Sequence, residues 1–169
     1  MSLTTLQGQG RGPVSQRGRQ VYEMAKLILT KKFVPIIGEG KARWNNIHVH
    51  DLSEVFRLLA NKAAARDSSN ELWGPKGYIL TENGEHGWSD LARNMAKEVA
   101  SQEGVSALEE KPLSKDAALE QAGFEAVSWG LNSRAKAGRA GKYLGWKPVQ
   151  GSLDSEVPKI VSQERQRLA

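Results

Sequence analysis

A chain of 169 residues, 39% hydrophobic and 25% charged, has the length of one ordinary domain and the composition of a folded protein, not of a disordered or fibrous one. It holds no cysteine, which excludes disulfides, thiolate metal sites and a cysteine nucleophile, and no apolar run near the roughly 20 residues that span a bilayer. The net charge of +5 invites a nucleic-acid reading, but the basic residues are interleaved with 19 acids along the chain, without the clustering that phosphate contacts need.

In chain order, residues 1–19 are rich in glycine and arginine (Gly8, Gly10, Arg11, Gly12, Arg17, Gly18) and interrupted by Pro13. They read as an irregular segment, with no apolar stretch for a secretory signal. A soluble, cytoplasmic protein without a membrane segment is expected. From Gln20 to Lys32 the apolar residues Val21, Met24, Ala25, Leu27, Ile28 and Leu29 recur at helical spacing and predict an amphipathic helix. Phe33–Gly38 predicts a short strand stopped by glycine, and Ala42–His50 a second one. Asp51 or Ser53 then caps a helix reaching about Ala65, and Asp67–Asn70 is a polar loop.

Tyr78–Glu82 predicts a third strand, bounded by Gly77 and the Asn83-Gly84 turn, and Ser89 caps a helix to about Ser101. Further helices are predicted over Ser114–Gln121, Asn132–Tyr143 and Leu153–Leu168, with Pro148 breaking structure before the last. Three strands result among these helices. That is few strands for a doubly wound parallel sheet, whose strands read as continuous Val/Ile/Leu runs.

Four segments carry a resemblance. They are Thr4-Thr5-Leu6-Gln7-Gly8 with its glycine-rich sequel, Gly38-Glu39-Gly40 to Ile47-His48-Val49-His50-Asp51-Leu52, Tyr78-Ile79-Leu80 to Trp88-Ser89-Asp90-Leu91-Ala92, and Leu144-Gly145-Trp146-Lys147-Pro148. In this order they resemble the C-terminal, substrate-side part of the extended short-chain dehydrogenases of the NAD(P)-dependent epimerase/dehydratase family. The resemblance implies an α/β fold: the C-terminal portion of a Rossmann-like enzyme, mainly helices with a few short strands, the nucleotide-binding half absent. Residues 1–19 would be the remnant of a core strand end and its loop, and residues 20–169 the substrate-binding lobe.

The resemblance implies NAD or NADP for full-length relatives and no cofactor for this chain alone. A dinucleotide fingerprint needs a strand before its glycines and a helix start after them, whereas Gly8-Gln9-Gly10-Arg11-Gly12 is followed by Pro13. The family's catalytic Tyr-x-x-x-Lys pair, in which lysine lowers the tyrosine pKa for proton exchange, is spelled by Tyr22 and Lys26. It stands after the Gln7-Gly8 segment, where the family has it before, so Tyr22 and Lys26 are read as a surface turn with Lys26 solvated. No catalytic, cofactor-binding or metal-binding residue is assigned. His48 and His50, two apart on a strand, are expected to face opposite sides, and His86 to sit in a turn without a partner.

Sugar-nucleotide members carry an arginine four residues before the His of His-Val, where its fork grips a diphosphate. Trp44 stands there, with Arg43 one residue earlier and so on the opposite strand face. The expected substrate is therefore a smaller or more apolar carbonyl or hydroxyl compound, contacted by Gln16, Gln20, Trp44 and Asn46. The expected partners are a complementary Rossmann half or a second copy. The competing readings are a non-catalytic, partner-binding module and, more weakly, a nucleic-acid binder.

Overall fold

The computed structural model describes residues 4–13 and 16–169, so residues 1–3, 14 and 15 of the predicted irregular segment lie outside the described residues. Among the described residues, seven α-helices and five short strands follow one another: β1 Thr5–Gln7, α1 Gln20–Lys31, β2 Val34–Ile37, β3 Arg43–His48, α2 Val49–Ala64, β4 Glu85–Gly87, α3 Trp88–Glu103, β5 Glu110–Leu113, α4 Lys115–Ala122, α5 Phe124–Ser128, α6 Gly138–Leu144 and α7 Leu153–Leu168. Among the described residues, no helix is long and apolar enough to cross a membrane.

Two sheets organise the chain. In the first, β1 and β3 run parallel, with Thr5 opposite Asn46 and Gln7 opposite His48, and β4 is antiparallel to β3. The second pairs β2 and β5 in parallel. Because side chains alternate along a strand, β3 serves two cores. Trp44 joins the large core of α1, α3 and α7, whereas Ile47 joins a smaller core with Val55, Ala140, Leu144 and Trp146 beneath α2 and α6. The first sheet is thus the middle layer of a helix–sheet–helix arrangement. The stripe predicted for α1 is buried from Val21 to Leu29, and each fully buried aliphatic side chain there contributes about 1.5–3 kcal/mol.

Several expectations are corrected. Residues 77–82 form no strand: the carbonyl of Tyr78 accepts from Arg139 and that of Thr81 from the Thr4 hydroxyl. The sheet is completed instead by Glu85–Gly87, which the Asn83-Gly84 turn folds back onto β3. The sequence pattern misled because Tyr78 is half exposed and no ladder faces the segment. Helix α2 begins at Val49 with His48 as its cap, not at Asp51 or Ser53, since the His48 ring accepts from the His50 amide. Helix α3 begins at Trp88, so Ser89 is buried inside it and caps nothing. The predicted Asn132–Tyr143 helix is confined to Gly138–Leu144, while Ser114 and Ser152 cap α4 and α7 through their hydroxyls.

Asp51 acts across the fold. Its two carboxylate oxygens accept from the amides of Val149 and Gln150, at 3.0 and 3.2 Å, and its carbonyl accepts from the Trp146 indole at 3.0 Å. The Ile47–Leu52 and Leu144–Pro148 segments are therefore one structural joint between β3–α2 and the turn that launches α7.

Candidate functional site

Beside β1 lies a cavity of about 470 Å³, walled by Leu6, Trp44, Phe124, Val127 and Leu131, with Gln20 and Ser128 as its polar edge. Its size is within the range of small-molecule pockets, which combine apolar walls with few polar groups. The Gln20 amide donates to the Ser128 hydroxyl at 2.9 Å. The Trp44 indole N–H is committed to the Leu131 carbonyl at 2.7 Å, which fixes the ring as a wall. Both guanidinium groups at the rim are neutralised: Arg19 by Glu125 at 2.9 Å, and Arg17 by Glu164 and Glu23, each at 2.8 Å. Arg43, on the other strand face, is tied to Glu85 at 2.6 Å.

Of the four residues singled out in the sequence, Gln20 and Trp44 meet in this cavity. Gln16 does not. It lines a separate polar groove of about 380 Å³ with Gln9, Tyr22 and Gln163, where it accepts from the Gln9 amide at 2.8 Å. Asn46 is buried behind the Trp44 wall, its amide nitrogen 3.3 Å from Nδ1 of His86. The cavity residues that sequence reasoning missed are Leu6, Phe124, Val127 and Leu131. They come from β1 and the α5 region, and no motif links those segments in the chain.

Tyr22 and Lys26 do not form a surface turn but lie within α1. Tyr22 is buried in α1 and donates its hydroxyl to Gln163 at 2.9 Å, with burial pushing its pKa up. Lys26 lies 4.0 Å from Glu23 and half exposed. His86 is likewise no solitary turn residue: it is buried in β4, edge-on to Trp88 with ring centroids 4.6 Å apart. His48 and His50 do not diverge, because the chain turns into α2 between them, and their rings touch edge to face at 4.7 Å. Among the described residues, no three His, Asp or Glu side chains are grouped as a metal ion would require.

The loop after β1 does not fit a dinucleotide pyrophosphate. The His48 ring packs directly on Gly8, and Arg11 donates to Nε2 of His50 at 3.0 Å, so Gly8, the first glycine of the loop, is covered by a side chain of this chain. Gly8 has φ +82, and a Cβ there would fall 2.1 Å from Nε2 of the His48 ring. Gly8→Ala is expected to destabilise the chain by about 1–3 kcal/mol from backbone strain alone, read as a lower urea midpoint.

No family model matches the chain. A curated relative, the oxidase ucsJ of an Acremonium species, is 34% identical over 167 residues, covering 95% of this chain and 48% of that protein. The chain spans about half the length of this relative. Among solved structures, the UDP-glucuronic acid 4-epimerase from Bacillus cereus, in complex with NAD, superimposes with a TM-score of 0.58 at 15% identity, over 98% of this chain and 44% of that one. The UDP-glucose 4-epimerase of Thermotoga maritima gives 0.56 at 17% identity, over 98% and 45%. RMD from Pseudomonas aeruginosa, complexed with NADPH, gives 0.55 at 16%, over 96% and 46%. The chain thus has the fold of the C-terminal portion of Rossmann-like epimerases.

Proposed function

We propose that this chain is the substrate-binding lobe of an NAD(P)-dependent oxidoreductase of the epimerase/dehydratase type, and that the cavity beside β1 receives an uncharged, largely apolar carbonyl or hydroxyl compound. The observation that carries the reading is the cavity's lining: apolar walls, one amide–hydroxyl pair, and rim arginines already paired with carboxylates. A sugar-nucleotide diphosphate needs charge-assisted donors, and burying one against paired guanidinium groups would cost more than it returns. The oxidase relative supports redox chemistry, and the epimerase neighbours support the fold in which it would occur. In this reading the lobe binds and orients substrate, and hydride transfer belongs to a nucleotide-binding half.

The test is titration of the purified chain with acetophenone and, separately, with UDP-glucose and NADH, followed by tryptophan fluorescence. Acetophenone should give a saturable change that Leu131→Arg, which fills the cavity, weakens about tenfold or more, a loss of about 1.4 kcal/mol. Saturable binding of UDP-glucose would overturn the substrate class. Saturable binding of NADH would overturn the division of labour.

A second reading, a partner-binding module, is favoured by the cavity's rim, where Phe124 is 78% and Leu131 52% exposed. β1 also ends its sheet, paired only with β3 among the described residues. An edge strand that pairs in parallel with its neighbour and is flanked by apolar side chains fits a complementary half that supplies the next parallel strand. Such a complex would bury Phe124, and Phe124→Asp would abolish its co-elution on size exclusion.

A further inference from the structure

The layer between the first sheet and helices α1, α3 and α7 holds polar atoms that have no protein partner. Thr5, Asn46 and His86 are all at least nine-tenths buried, yet Oγ1 of Thr5, Oδ1 of Asn46 and Nε2 of His86 make no protein hydrogen bond, nor does Nε1 of Trp88. These residues are contiguous. Thr5 stands opposite Asn46 in the parallel register, Asn46 reaches His86, and His86 rests against Trp88. Native proteins leave only a few buried polar groups unpaired per hundred residues, and each isolated one costs about 1–3 kcal/mol. Several in one patch point to a common partner.

The chemistry of the patch selects that partner. With the Asn46 amide nitrogen donating to Nδ1, the neutral His86 ring carries its proton on Nε2, and the unmatched atoms are one donor and one acceptor. With the amide turned over, Nδ1 donates to the amide oxygen, and again one donor and one acceptor are unmatched. The Thr5 hydroxyl serves as either, and the Trp88 indole adds a donor. A cation would face N–H groups and an anion would face the amide oxygen. Only a small, uncharged molecule that both donates and accepts satisfies the set. We propose that this seam is a binding site for structural water, bridging β1, β3 and β4 through Thr5, Asn46 and His86 and backing the Trp44–Trp88 wall, where the ring centroids are 5.7 Å apart.

The bound water makes β1, a strand of three residues, part of the core by more than its ladder to β3. It also explains why polar side chains occupy the buried face of a strand that apolar ones could fill.

Oxygen-17 relaxation dispersion on the purified chain tests the proposal by counting long-lived internal water. The wild type should show a dispersion that shrinks in Thr5→Val, which preserves shape and removes the hydroxyl, and also in Trp88→Phe, which removes the indole N–H. The melting temperature of Thr5→Val should fall by a few degrees as the water loses an anchor. A dispersion absent from the wild type, or unchanged in both variants, would overturn the proposal. So would a raised melting temperature in Thr5→Val with no loss of dispersion, because deleting an unpaired hydroxyl from a dry site is stabilising.

Discussion

Arg17→Ala should destabilise the chain by about 3–5 kcal/mol, the cost of leaving a buried charge without its partner. Glu164 is only 2% exposed on α7. The Arg17 fork meets it at both oxygens, Nε at 2.9 Å and Nη2 at 2.8 Å, while Nη1 reaches Glu23 at 2.8 Å. The guanidinium also lies 5.3 Å from the Tyr22 ring centroid. One side chain thus ties the segment before α1 to the last helix, across 147 positions of sequence. Arg17→Lys should recover little, because an ammonium cannot reproduce the two-pronged geometry. The double change Arg17→Met with Glu164→Leu should be far milder than either alanine substitution, since it removes both buried charges and leaves only Glu23, which is partly exposed and lies 4.0 Å from Lys26, without the arginine. Urea unfolding of the wild type, both single variants and the double variant checks the cycle. A loss for Arg17→Ala no larger than about 1 kcal/mol would show that the pair behaves as an exposed one.

That bridge marks where sequence reading stops. The helices α1 and α7 were legible because their apolar residues repeat at helical spacing, and α4 because Ser114 stands three residues before an amide it caps. Each signal is local. Strand β5 escaped because Glu110–Leu113 contains a proline and two charges and becomes a strand only by lying along β2. Strand β4 escaped for a similar reason, since Glu85–Gly87 follows a turn pair and gains its ladder from β3. For the candidate site, the strand alternation that separates Arg43 from Trp44 was readable and is realised: Arg43 is exposed and Trp44 buried. The other wall, from Phe124 to Leu131, was not. Nothing local in a half-exposed helical turn says that it will face a tryptophan eighty residues earlier in the chain (Trp44). The placement of Gln16 in a separate groove was illegible on the same ground, because a loop residue four positions before α1 can face either side of it.

Between pH 6.5 and about pH 4 the chain should lose about 3 kcal/mol of stability through His86 alone. Burial holds His86 down at about 4 against an ordinary 6.5, and nearby Arg43 pushes the same way, while Asp154 and Glu85 pull against it. In that window the unfolded chain binds the proton and the folded chain does not, so unfolding takes up a proton and stability rises with pH. The dependence is steepest midway between the two pKa values, at about pH 5, vanishes above about pH 7.5, and flattens once both states are protonated. His48 contributes in the same direction, since burial and its neighbour His50 lower its pKa, while Glu156 and Asp51 oppose. Urea midpoints measured from pH 7.5 to 4.5 should therefore fall steadily, and His86→Asn should remove most of the slope while lowering the midpoint at neutral pH. The imidazole NMR signals identify the group: His86 should remain neutral to about pH 4. A slope that survives unchanged in His86→Asn would move the acid sensitivity to the His48–His50 contact at the start of α2. There the His48 ring accepts from the His50 amide, and protonation would convert that acceptor into a donor.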